Sequence, residues 1–310
     1  MKNTFVSART ASEIDAQVGK VLRGLGRPEP PIDLTQVRDL LKLDRAYYSS
    51  TDDGLLRETV HRMKVAGLQV LKRPMILLDA VRTLSLKALY LPDQKRILLD
   101  QALPKIKHRW NEAHEIGHDI IPWHAGMMLG DNDQTLSQAC QAHMENEANY
   151  AGGRLLFLGQ RFAEEAHSLA PTLENVRGLG TAFDNTITST LWRYVESARD
   201  ETPMVGVVSG HPHPARRRQD FDPNEPCRYC VQSPSFAARF GYTSEPALFR
   251  VIQSYSQARR GGPLGEREVV LTDVNGDGHV FHFETFFNGY EALTLGVWSR
   301  AATVAIAVPV

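Results

Sequence analysis

Arg109-Trp110-Asn111-Glu112-Ala113-His114-Glu115-Ile116-Gly117-His118-Asp119-Ile120-Ile121 is the stretch on which the reading of this chain turns. Apolar residues return at Ala113, Ile116, Ile120 and Ile121, and Pro122 stops the pattern, so the spacing predicts a helix over 105–121. Residues four apart share a helix face. His114 and His118 therefore point the same way and can share one zinc ion. Glu115, one step round, can reach a water beside that ion, take its proton as general base and pass it to a leaving amine. A solvated face with incidental histidines is the bland alternative. It fits poorly with apolar neighbours, because a buried helix needs a reason to carry two histidines and a glutamate.

Working outward, Lys87–Leu91 and Arg96–Asp100 are short apolar runs joined by Pro92-Asp93-Gln94-Lys95, which reads as strand, tight turn, strand. After Pro122 a loop is expected around 126–134. Residues 136–158 then read as a helix rich in small side chains (Ala139, Ala142, Ala148, Ala151, Gly152, Gly153), able to pack closely on a neighbour. The third metal ligand has three candidates. Glu145 shares a face with Asn149 and Gly152 that could press against the first helix, whereas Glu147 points largely away from Glu145. His124 is the runner-up, at the third-histidine spacing of His-Glu-x-x-His-x-x-Gly-x-x-His enzymes. The turn glycine of that pattern is replaced here by Ile121, and a β-branched residue tolerates positive φ poorly. Two histidines and one carboxylate would leave a position open for water, as hydrolysis needs.

The rest of the chain sets the frame. Its 310 residues suggest about two domains. Helical spacing appears over 13–25 and 34–43, with Arg27-Pro28-Glu29-Pro30-Pro31 between them, and again over 55–72. Residues 172–199 read as two short helices about Asp184-Asn185. This is a candidate helix-turn-helix, although the lack of a strong basic face favours an ordinary packed pair. A boundary is expected near 200–203. Beyond it come strand-like runs at 204–208, 268–272, 279–283, 293–298 and 303–308, with an irregular segment over 209–235. The expected fold class is α+β: a mainly helical domain with a small sheet over 1–200, then a smaller β-rich domain over 201–310.

A net charge of −1 removes any bulk attraction to nucleic acid or anionic lipid, and Arg216-Arg217-Arg218 and Arg259-Arg260 read as solvated surface. The three cysteines, Cys140, Cys227 and Cys230, are too few and odd in number for a disulfide framework. No run of 18 apolar residues exists and Met1–Gly19 lacks the core of a signal peptide, so the expectation is no membrane and a reducing cytoplasm. His211, His213, Cys227 and Cys230 are a candidate second, structural zinc site; a free dithiol or buried small residues are equally open. Asp273–Gly278 with Glu284 matches a calcium loop, but strand-like flanks and the Asn-Gly and Asp-Gly pairs favour a β-hairpin.

The two helical motifs, His114–His118 after Arg109–Ala113 and then Glu145-Asn146-Glu147-Ala148-Asn149-Tyr150-Ala151-Gly152-Gly153-Arg154-Leu155-Leu156, resemble the ImmA/IrrE metallopeptidases over residues 30–200. The resemblance implies a zincin-like fold and a cytoplasmic zinc endopeptidase. It implies a protein substrate, typically a helix-turn-helix transcriptional repressor cleaved in a stress or induction response. The family's third ligand, the first glutamate of its Glu-x-x-Ala-Asn run, falls on Glu145. One departure is Leu155–Leu158, where members often have a proline after the leucines. The alternative function is a non-catalytic sensor or regulator that uses the same fold to bind a partner or DNA directly.

Overall fold

The computed structural model describes residues 3, 5–48, 88–91, 94–129, 138–198 and 201–302. The helix expected at 55–72 and the strand at 303–308 lie outside these residues. The chain divides into two compact units, 5–160, and 161–310 with 1–4. The division falls before residue 161 rather than near 200. The reason is packing: the helices at 173–182 and 187–197 contact the sheet of the second unit, and the helix at 161–168 packs on those two.

The first unit opens with α1 (Ala8–Gly24) and α2 (Leu34–Leu41). Ser7 and Asp33 cap them by accepting from Thr10 and Thr35 backbone N–H groups. Ile14, Val18 and Val21 form the buried stripe of α1. Three strands follow: β1 (Asp44–Tyr48), β2 (Ala88–Leu91) and β3 (Arg96–Asp100), in the order β1-β3-β2. β1 runs parallel to β3 and β2 antiparallel. Ile97, Leu98 and Leu99 of the central strand are fully buried, and β2 and β3 pack on α3 (Lys105–Ile120).

α3 stops at Ile121, which is extended at φ −88° and ψ 106°. Pro122 then starts α4 (Pro122–Leu129) where a loop was expected over part of the segment. A proline suits the first helical position because its φ is already helical and its missing N–H bonds nothing there. α5 (Gln138–Leu156) closes the unit against α3. Their contact is backbone on backbone. A Cβ on Gly117 would meet the Ala148 carbonyl oxygen at 2.7 Å, and one on Gly152 would meet that of Ala113 at 2.9 Å. Two ionic groups tie the other helices in. Glu112 of α3 receives Arg38 at 2.6 Å and Arg45 at 2.8 Å, and Arg154 of α5 reaches Asp15 of α1 at 2.6 Å.

The second unit begins with α6 (Arg161–Ser168), α7 (Leu173–Ala182) and α8 (Ile187–Ser197). Its sheet is antiparallel throughout, in the order β5-β4-β8-β7-β6. The strands are β4 (Met204–Ser209), β5 (Cys227–Gln232), β6 (Gly262–Thr272), β7 (Gly278–Phe287) and β8 (Ala292–Ala301). All five strands lie within 201–310, the stretch expected to be β-rich, and the helices from residue 161 join them. This unit is α+β and comparable in length to the first. Its α9 (Pro234–Phe240) and α10 (Glu245–Tyr255) pack on the sheet, each capped by a serine (Ser233, Ser244) with a proline in the first turn. β5 likewise lies inside the segment expected to be irregular. Phe236, Phe240, Phe281, Phe283, Leu248 and Ile252 make the core between helices and sheet.

Candidate metal centre

The close approach of α3 and α5 brings their polar residues together. His114 Nε2 lies 3.1 Å from Glu145 Oε2, and His118 Nε2 lies 3.6 Å from Glu145 Oε1. The two imidazoles meet edge to face with centroids 4.9 Å apart. One donor atom from each of the three residues lies within 4.8 Å of the others, so His114, His118 and Glu145 form a group that could hold a metal ion. The remaining ring nitrogens are engaged behind the site. His114 Nδ1 is 3.0 Å from Asn149 Oδ1, and His118 Nδ1 is 3.0 Å from His124 Nδ1. Asn149 stands one turn after Glu145, on the face the sequence put toward α3. The Glu145 side chain is 59% exposed, so the group is open to solvent on that side.

The charges are mutually adjusted. Burial alone would lower His114, but its hydrogen bond to Glu145 and the nearby Glu115 and Glu145 carboxylates outweigh it and hold the ring above its ordinary 6.5. Burial also opposes ionisation of Glu145. Its hydrogen bonds with His114 and His118 win and keep the carboxyl well below the usual range. Glu115 is buried, and burial lifts its carboxyl above 4.5 despite both histidines and a hydrogen bond with the Tyr90 backbone. A carboxylate raised in this way is suited to accept a proton. Tyr90 belongs to β2, an edge strand among the described residues. Its hydroxyl also donates to Asp119, which Lys95 reaches at 2.6 Å, so the β2–β3 turn is fastened to α3 beside the group.

His124, the runner-up ligand, lies behind His118 rather than beside the group. It is fully buried, and burial pushes its ring down to about 4. Its Nε2 is 2.9 Å from Glu147 Oε2, the oxygen to which Trp123 Nε1 donates at 2.7 Å. Glu147 is therefore occupied away from the three donors. Trp123 carried no signal in the sequence, since its part depends on how α4 departs from α3.

The second zinc site does not assemble among the described residues. Cys227 and Cys230 are buried in the aromatic core of the second unit, and burial pushes the Cys227 thiol up to about 12, far from the thiolate a metal binds. His211 instead bonds the Arg259 carbonyl and stacks edge-on against Phe287, while His213 caps the turn at Pro214–Arg216. The loop at 273–277 is the turn of the β6–β7 hairpin. Asp273 accepts from the Asn275 and Asp277 N–H groups and pairs with His279, and Glu284 caps α7 at the Leu173 N–H.

No family model matches the chain, and no curated protein matches it. Among solved structures it is similar to a Mycobacterium tuberculosis transcriptional regulator. The two share 13% identity at a TM-score of 0.53, over 94% of this chain and 78% of that one. At such identity the likeness concerns the fold alone. Among the described residues no helix is long and apolar enough to cross a membrane.

Proposed function

We propose that this protein is a cytoplasmic zinc-dependent endopeptidase with a zincin-like first unit, in which His114, His118 and Glu145 hold the ion and Glu115 is the general base. The observation that carries the reading is the convergence of two imidazoles and one carboxylate within 4.8 Å. Two nitrogens and one oxygen are a donor set zinc takes readily, and they leave a coordination position free. Zinc in such a site supplies Lewis acidity toward a carbonyl and lowers the pKa of a water. Glu115 takes a proton on the buried side of the site and returns it to the leaving amine. β2 suits an extended peptide, because an edge strand can pair with one through its backbone, and Tyr90 ties that strand to Glu115. The substrate class is a protein, and the ImmA/IrrE resemblance makes a helix-turn-helix repressor the first to test. Co-expression with a candidate helix-turn-helix repressor should yield a cleaved product. Glu115→Gln should keep zinc and lose that product; continued cleavage by this variant sinks the mechanism.

A second reading has one specific support: the solved structure it resembles is called a transcriptional regulator. On this reading the fold of the present chain binds a partner or DNA without proteolysis. Salt-dependent binding of the full chain to duplex DNA, with no cleavage product, favours it.

A further inference from the structure

Resting on the metal reading above, we infer that Trp123, Glu147 and His124 form a relay that decides which nitrogen of His118 carries its proton, and so aims the Nε2 lone pair of His118 at the ion. An indole N–H can only donate, so at 2.7 Å Glu147 Oε2 is the acceptor from Trp123. The same oxygen lies 2.9 Å from His124 Nε2. One carboxyl oxygen that meets two nitrogens accepts from both, so His124 Nε2 bears a hydrogen. The neutral ring then has a bare Nδ1. That atom is 3.0 Å from His118 Nδ1, which must therefore be the donor. That leaves His118 Nε2, the nitrogen facing Glu145, as the one to meet an ion: a hydrogen it shares with the Glu145 carboxylate is the one an ion would displace, while Nδ1 keeps its own.

Solvent does not interrupt the sequence of bonds, since His124 is 0% exposed and His118 4%. His124 and Glu147 are thus positioning residues. Each of the two was a candidate ligand by spacing, and each is excluded by being spent on this chain of donors. His114 has a simpler arrangement with the same result, because Asn149 Oδ1 accepts from its Nδ1. A carbonyl or carboxylate behind a metal-binding histidine fixes its tautomer and raises its basicity; removing such a partner costs about 10–100-fold in metal affinity.

Two measurements test the relay. Nitrogen NMR of the imidazoles in the zinc-free wild type, at about pH 8, should find a proton on His118 Nδ1 and on His124 Nε2 and none on His124 Nδ1. Competition with a chromogenic chelator should find zinc bound about 10–100-fold more weakly by His124→Phe. His124→Gln should stay within about threefold of wild type, since its amide can accept from His118 and donate to Glu147. A His118 Nδ1 that carries no proton overturns the relay. So does a His124→Phe variant of undiminished affinity, or a His124→Gln variant as weak as His124→Phe, which marks mere packing. The spectrum needs no substitution, so it decides even where a variant fails to fold. A wild type that takes up no zinc overturns this inference and the metal reading together, whereas zinc uptake with an unperturbed His124→Phe overturns the relay alone.

Discussion

Replacing Gly117 by alanine adds one methyl group at the point where α3 and α5 touch. The new Cβ would stand 2.7 Å from the Ala148 carbonyl oxygen and 3.3 Å from the Ala148 Cα and the Ala151 Cβ, where ordinary contact begins at 3.4 Å. The shortfall, 3.4 − 2.7, is 0.7 Å. The obstructing atom is main chain and cannot swing aside, so the helices must part or bend. Overpacking of this kind costs about 1–3 kcal/mol, and the better helix propensity of alanine returns about 1 kcal/mol. A net loss of up to about 2 kcal/mol remains, which at about 2–4 °C per kcal/mol is a Tm lower by up to about 8 °C. The metal group should register the change more sharply. Metal–ligand distances hold within about 0.2 Å, and the helices that must part carry His114 and His118 on one side and Glu145 on the other. Zinc affinity, read by chelator competition, should fall at least about tenfold. Gly178→Ala in α7 is the control, since nothing lies within 4 Å of its Cβ; its Tm should stay level or rise by up to about 4 °C. A Gly117→Ala chain that melts at or above the wild-type temperature with zinc affinity intact would refute the account of this interface.

Glu112→Ala leaves Arg38, 10% exposed at its side chain, buried without its partner. Denaturant titration should show a loss of about 3–5 kcal/mol, and a loss under about 1 kcal/mol contradicts the buried pairing. Zinc affinity should also depend on pH. Zinc takes the neutral ring, and His114 holds its proton above 6.5, so affinity should keep rising as pH passes 6.5 and level off only beyond the raised pKa. In the zinc-free protein the sign is opposite for the two partners. The raised His114 stabilises the fold below 6.5 and loses this as pH climbs, and the depressed Glu145 stabilises it above 4.5 and loses this as pH falls. Affinity that is flat from pH 5.5 to 8 counts against the coupling.

The helix of residues 105–120 and its two histidines were legible because helical period and metal spacing are both local. Glu145 was legible for the same reason, helped by Ala148 and Gly152, whose smallness announces a close neighbour. The part of His124 was not legible. It depends on Ile121 adopting an extended backbone without positive φ and on Pro122 starting a new helix, which together return the ring to His118 from behind. Spacing alone cannot tell whether a histidine joins the three donors or lies behind one of them. Cys227 and Cys230 left zinc, a free dithiol and buried small residues open, because two cysteines with two residues between them suit a metal knuckle; in the fold both lie in the core of the second unit on β5. α9 and α10 were missed although Ser233-Pro234 and Ser244-Glu245-Pro246 are ordinary helix starts, because the surrounding strand-like runs dominated the reading.

The donors of the metal group lie on two stretches of chain, His114 and His118 on one and Glu145 on the other. An ion held by all three is therefore also a clip, closing the loop that contains α4. Whatever binds only the folded arrangement stabilises it by mass action. The lifetime of the first unit against unfolding and digestion should then follow the free zinc concentration, making the abundance of this protein a gauge of metal supply.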